Sequence, residues 1–337
     1  MPTKPIPIIP LSEMTEGQEA DTFVLLAAKS EGTTKDGKPY SRVAFRDARR
    51  EVSFPIWNDS PLAGVCRDQW QAGSFFKLRC VYRETNYGPQ LDIRKIRLVV
   101  PEDQADGFDP WMCQPRSKFD PLAMHAQLLT IAQDEIADRS LSALVAQLLT
   151  EHREVLLSLP AARRNHHAFV GGFLEHVLSV TRNALFLADK YGRDYPELNP
   201  PLSRDLVLAG ALLHDIGKVR ELTLTPGGAE YSPPGELIGH ILLGRDMLRE
   251  AAVQHPLPAE MLLRLEHIIV SHQRLAEWGS PKPPMTPEAL LVHFADDIDA
   301  KFQTALVALA EPGAGPFTSS KNPLQYKIFR GLPGERT

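Results

Sequence analysis

Asp205-Leu206-Val207-Leu208-Ala209-Gly210-Ala211-Leu212-Leu213-His214-Asp215-Ile216-Gly217-Lys218 runs almost wholly apolar from its second residue up to a histidine and a carboxylate side by side. The run reads as a buried helix with the His214-Asp215 pair at its C-terminal end. A carboxylate there opposes the helix macrodipole. Burying it unpaired costs several kcal/mol. A divalent metal removes both penalties, provided that other ligands reach the same point.

The surrounding sequence offers them. After Pro121 the pattern is helical to about residue 309, with helices expected over 122–137, 141–157, 173–191, 206–214, 239–252, 260–272 and 287–309. Thr286 is the expected N-cap of the last, with Pro287 at its first helical position. All 11 histidines lie at or after His125. His176 shares a helical face with Phe173 and Val180; His240 follows Gly239; His272 ends a helix on the face of Leu265 and Ile268; Asp296 sits beside Val292 and Phe294. Singly, a histidine on an apolar face is more often a satisfied core residue, and an aspartate in a helix is usually solvated. Six such residues in one helical region, each beside apolar neighbours, point instead to a metal site. Imidazole and carboxylate ligands suit Mn²⁺, Fe²⁺, Zn²⁺ or Mg²⁺. The lack of cysteine among them argues against structural zinc.

Toward the N-terminus the period changes. Residues 22–28, 40–45, 51–57, 75–82 and 90–96 read as five strands, with turns at 35–39 and 86–89 and room for a helix in 59–70. Five short strands with a helix between the third and fourth suggest a small barrel, an OB-fold. The expected organisation is multidomain: an OB-fold barrel over 1–100, a Pro/Asp/Gly-rich linker over 101–121, an all-α domain over 122–311 and an extended tail over 312–337. The net charge of −5 conceals 14 Lys+Arg against 8 Asp+Glu between Thr22 and Val100, a bias that hints at a polyanion partner. The N-terminus lacks a signal-peptide pattern, no apolar run is long enough to span a bilayer, and the odd, scattered cysteines Cys66, Cys80 and Cys113 suit a reducing compartment. A cytoplasmic protein is expected, without a membrane partner.

His176, His214-Asp215 and Asp296 resemble the H…HD…D signature of HD-domain metal-dependent phosphohydrolases over about residues 160–305. The resemblance implies that these four hold one metal. His240 and His272 match the extra histidines of binuclear members, in which the HD aspartate, here Asp215, bridges both ions. With the flanking stretches 166–176, Gly239-His240-Ile241, Ser271-His272, Trp278-Gly279-Ser280-Pro281 and Asp299-Ala300-Lys301, the chain is similar to YhaM-type 3′-to-5′ exoribonucleases, which place an OB-fold before an HD domain. Gln273 stands where many such proteins carry a second histidine, and the OB segment 47–51 lacks a common glycine.

The expected activity is hydrolysis of single-stranded RNA, or DNA, from the 3′ end at two divalent ions, Mn²⁺ first among the candidates. Asp215, His214 and Lys218 are the expected catalytic residues, Lys218 meeting a phosphate oxygen or else being a solvated lysine at a helix end. His167, His267 and Asp299 are candidates for orienting the ligands, with ordinary packing or helix pairing as the alternative. On the barrel, Lys38, Tyr40, Arg42, Trp57, Arg79, Tyr82 and Arg94, with Tyr87, mix cations with aromatics as a single-strand surface does, the alternative being that the aromatics are barrel core and the charges a solvated face. Two other readings stay open: an HD phosphohydrolase for a small nucleotide, and a non-catalytic nucleic-acid-binding protein. The apolar helices at 122–157 leave room for a homo-oligomer.

Overall fold

The computed structural model describes residues 6–34, 36–85, 88–163, 167–310 and 315–332; Tyr87, and Lys35, Asn86 and His166 of the segments 35–39, 86–89 and 166–176, lie outside the described residues. Two units are distinguished: Met1–Pro115 with Pro226–Gly228, and Arg116–Thr225 with Ala229–Thr337.

The first unit holds β1 (Glu19–Thr33), β2 (Pro39–Arg46), β3 (Glu51–Trp57), α1 (Ala63–Gln69), β4 (Phe75–Thr85) and β5 (Gly88–Leu98). Every pairing is antiparallel, in the order β3-β2-β1-β4-β5. The long β1 serves both halves, pairing with β4 as far as Leu25 and with β2 from Leu25 onward. A register shift between Leu26 and Ala28 lets it bend there. β3 lies beside β5 without a ladder, so the sheet rolls into a partly open five-stranded barrel of OB type, with α1 between β3 and β4 as expected. Phe45, Trp70 and Phe76 fill its centre, their ring centroids 5.8–5.9 Å apart.

The expected linker is not free chain along its first part. Residues 101–115 form two 3-10 turns, Pro101–Asp106 and Pro110–Cys113, that stay with the barrel. Asp103, 2% exposed, anchors them. It accepts from Arg97 at 2.6 Å through both oxygens and from Lys77 at 3.3 Å. Arg97 holds the Asp103 carboxyl below the usual carboxylate range, against burial that pushes it up. A folded-state value below the unfolded one means stability that is complete above the ordinary carboxyl range and fades as the pH falls. Asp103→Asn should therefore cost about 2 kcal/mol near neutral pH. The gap to wild type in urea unfolding should shrink from about pH 5 toward about pH 3. A gap that stays constant would assign the cost to shape rather than charge.

The second unit is helical around one hairpin: α2 (Pro121–Asp134), α3 (Arg139–Glu151), α4 (Arg153–Leu156), α5 (Gly172–Asp194), α6 (Arg204–Leu213), α7 (Lys218–Glu221), β6 (Leu222–Thr225), β7 (Gly228–Tyr231), α8 (Pro233–Leu237), α9 (His240–Gln254), α10 (Ala259–Ser271) and α11 (Pro287–Ala310). α6 is the core helix: every residue from Leu206 to Leu213 is buried, packed among α5, α10, α11 and α3. Ser203 caps it by accepting from the Leu206 N–H. Thr286 accepts from the Ala289 N–H and Pro287 opens α11, as the sequence predicts. The single helix expected over 141–157 breaks at His152. The β6–β7 hairpin and α8 replace what reads as continuous helical region, because Thr225-Pro226-Gly227-Gly228 is a turn between two short strands. Among the described residues no helix is long and apolar enough to cross a membrane.

Candidate metal centre

Five helices deliver six side chains to one buried point. His176 comes from the first half of α5 and His214 from the C-cap of α6, with Asp215 next in the chain. His240 opens α9, His272 caps α10 and Asp296 lies mid-way along α11. Asp215 is the hub. Its Oδ2 lies 3.5 Å from His176 Nε2 and 3.4 Å from His214 Nε2. Asp296 Oδ1 joins that side, 3.2 Å from His176 Nε2 and 3.9 Å from His214 Nε2. The other oxygen, Oδ1, faces His240 Nε2 at 3.4 Å and His272 Nε2 at 3.6 Å. The two groups share Asp215, and each could hold a metal ion.

Hydrogen bonding fixes which nitrogen faces the centre. Nδ1 of His214 donates to the Ala211 carbonyl and Nδ1 of His272 to the Ile269 carbonyl, both at 2.8 Å. A carbonyl only accepts, so these rings carry the proton on Nδ1 and leave the Nε2 lone pair for a cation. Nδ1 of His176 meets Asp299 Oδ2 at 2.7 Å, and Nδ1 of His240 meets Glu221 Oε1 at 2.9 Å. All four rings are thus held from behind with Nε2 inward, as metal-binding histidines are. Asp215 Oδ1 and His272 Nε2 are buried without a hydrogen-bond partner among the described residues. Leaving both so is costly, and a cation between them relieves it.

The electrostatics agree. Burial disfavours a proton on His176, but Asp215, Asp296 and Asp299 outweigh it and hold its proton affinity well above the usual value. Burial likewise opposes charge on Asp215, yet Lys218, His214 and His176 keep its carboxyl well below the ordinary range. The pull on a proton at Nε2 is the pull a metal cation feels.

Lys218 is not solvated. It is buried, its Nζ 2.5 Å from Asp215 Oδ2, and it lines an open cleft of about 610 Å³ that also reaches His240 and Gln273. Gln273 Nε2 lies 3.2 Å from His240 Nε2. Asp299 also accepts from His167 Nε2 at 3.1 Å, so His167 and Asp299 together brace His176. His267 Nε2 accepts from the Met285 N–H at 2.8 Å and so holds a loop, in keeping with the packing alternative for this residue.

Glu221 escaped sequence reading. It accepts from both the Nδ1 and the backbone N–H of His240, the latter at 2.8 Å. Its partner lies 19 residues away across the hairpin, a separation no periodicity marks. Glu221→Gln should weaken Mn²⁺ binding on the His240–His272 side by about 10–100-fold and leave the other side unchanged. Calorimetric titration of the full chain would read this as loss of one of two phases; parallel weakening of both would overturn it.

On the barrel the structure brings only part of the expected surface together. Tyr40 and Trp57 pair across β2 and β3, ring centroids 5.3 Å apart, with Trp57 and Arg42 exposed on these strands and Lys38 exposed just before them. Arg79 is held by Asp21 through two 2.8 Å hydrogen bonds, and Arg94 pairs with Asp92 at 2.8 Å. Tyr82, 4% exposed, belongs to the barrel core and is a correction: its hydroxyl bonds Glu84 and Arg50 lies over its ring.

Residues 173–301 match the HD domain family model, a span that contains all six inward-facing side chains. The helical unit thus carries an HD domain, the hallmark of a superfamily of metal-dependent phosphohydrolases. A second family model, described as "Putative helicase", matches residues 114–225. Among solved structures, the second OB-fold domain of replication protein A from Methanococcus maripaludis is similar at 14% identity and a TM-score of 0.21, over 27% of this chain and 94% of that one. A crystal structure of a replication protein A domain from the same organism is similar at 9% identity and a TM-score of 0.22, over the same shares.

Proposed function

We propose that the protein is a metal-dependent exoribonuclease that removes nucleotides from the 3′ end of single-stranded RNA, and of DNA where the 2′-hydroxyl is not read. The observation that carries the reading is the divided carboxylate of Asp215, one oxygen toward His176 and His214, the other toward His240 and His272. His176, His214 and Asp296 would hold one divalent ion and His240 and His272 a second, with Asp215 available to both groups. When bound, such ions supply an activated water and neutralise phosphate charge. The protein's own groups do the rest. Asp299 and Glu221 keep His176 and His240 aimed. Lys218, anchored on Asp215 and lining the cleft, presents an ammonium to a phosphate oxygen. Tyr40, Trp57, Arg42 and Lys38 offer the barrel's stacking and phosphate contacts. The similarity of residues 166–176 and 271–281 to YhaM-type proteins supports the 3′-to-5′ direction.

The test is incubation of 5′-labelled single-stranded RNA with the purified chain in Mn²⁺, Mg²⁺ or EDTA. A ladder shortening from the 3′ end with either metal and absent in EDTA is expected. Intact RNA under both metals overturns the reading. It would favour the small-nucleotide phosphohydrolase, which the size of the cleft supports.

A further inference from the structure

The cleft beside the centre has two unlike sides. Its floor is polar and faces the ligands: Lys218, His240 and Gln273. Its rim carries Tyr231, at the end of β7, and Trp278, in the 3-10 turn Ala276–Trp278. These rings stay 42% and 51% exposed. Arg163 adds a second cation, its guanidinium 5.6 Å over the Tyr231 ring. Half-exposed aromatics around a concave, charged floor are poor core packing and good recognition surface. The Trp278 turn is also braced on the centre. Gly279 closes it in a left-handed conformation, φ 99°, and the Ser280 hydroxyl accepts from the N–H of Gln273, the residue after His272. Trp278 is thereby fixed relative to a metal-facing histidine.

We infer that this cleft is the subsite for the terminal nucleoside monophosphate unit, its base against Trp278 and Tyr231 and its phosphate turned to Lys218. The inference rests on the phosphodiesterase reading and names the part of the substrate that this site grips. Aromatic faces accept every base, so the subsite holds a nucleotide without choosing a sequence. Arg163 covers one face of Tyr231, which leaves Trp278 the larger free surface.

Binding to the full chain, measured by calorimetry with adenosine 5′-monophosphate and with ribose 5-phosphate, separates the base from the phosphate. The nucleotide should bind at least about 10-fold tighter. Trp278→Ala should weaken it by about 10–100-fold, the range of one stacking contact. Tyr231→Ala should weaken it less. Ribose 5-phosphate should bind all three proteins alike, which also certifies that the variants are folded. Equal affinities for the two ligands, or nucleotide binding indifferent to both substitutions, overturn the subsite. A chain that prefers the nucleotide yet leaves RNA intact keeps the subsite and removes the exonuclease. A chain that shortens RNA while Trp278→Ala binds nucleotide normally does the reverse.

Discussion

Asp215→Asn is expected to reduce hydrolysis of single-stranded RNA by about 10³-fold or more, the rate equivalent of several kcal/mol of charge stabilisation at the reacting phosphate. Among the described residues no other single side chain serves both groups: the two oxygens of Asp215 divide between His176/His214 and His240/His272. His272→Ala removes a donor from one group only and should leave metal on the other. Metal content by mass spectrometry would show this as two, one and fewer than one ion per chain for wild type, His272→Ala and Asp215→Asn. The asparagine is the informative variant because its amide oxygen can still accept from the buried Lys218 ammonium, 2.5 Å from Asp215 Oδ2, whereas alanine leaves that ammonium no acceptor, and removing one partner of a buried pair costs about 3–5 kcal/mol. RNA binding by the barrel should survive, with an affinity within about 2-fold, since phosphate and stacking contacts carry it. Retention of a tenth of the wild-type rate by Asp215→Asn would place the chemistry elsewhere.

What the sequence discloses and what it withholds follow one physical division. An unbroken apolar run such as that of α6 has one stable place, the core, and all of Leu206–Leu213 is there. The six candidate ligands are readable because each interrupts an apolar face, where a polar group needs a reason. The residues that steady them are not readable. Glu221 looks like any acidic residue at the end of a helical turn, and only the hairpin brings it to His240. His267 carries the same apolar neighbours as a ligand, yet a loop N–H 18 residues later claims it. Tyr82 was within reach: Leu78, Cys80 and Tyr82 alternate on β4 and all three are buried, so period-two reading places the ring inside. Arg79 was not, because Asp21 is 58 residues away. The order within 101–115 is hidden for a similar reason: Pro, Asp and Gly read as a linker, and only the contacts of Asp103 with Arg97 and Lys77 tie the segment down.

Gly217→Ala should be the most damaging substitution outside the ligands. A Cβ there would sit 1.9 Å from the His240 carbonyl oxygen and 2.5 Å from the Gly244 nitrogen. Both atoms are backbone of the first turn of α9, so no side-chain rotation relieves the clash. Either α7 or the start of α9 must move, and each carries part of the centre: Lys218 opens the one, His240 the other. His240 reaches Asp215 Oδ1 at 3.4 Å, and displacement of about 1 Å at such a site costs about 10²-fold in rate. Overpacking of this kind costs about 3 kcal/mol. The expected phenotype is a lowered melting temperature, about 100-fold slower RNA shortening and loss of metal from the His240–His272 side with the His176–His214 side retained. Gly192→Ala is the control: on α5, with nothing within 4 Å of the added Cβ, it should be neutral or raise stability by about 0.5–1 kcal/mol. If Gly217→Ala melts and cleaves like wild type, the close approach of α7 to α9 does not set His240, and the second half of the centre owes its geometry to Glu221 alone.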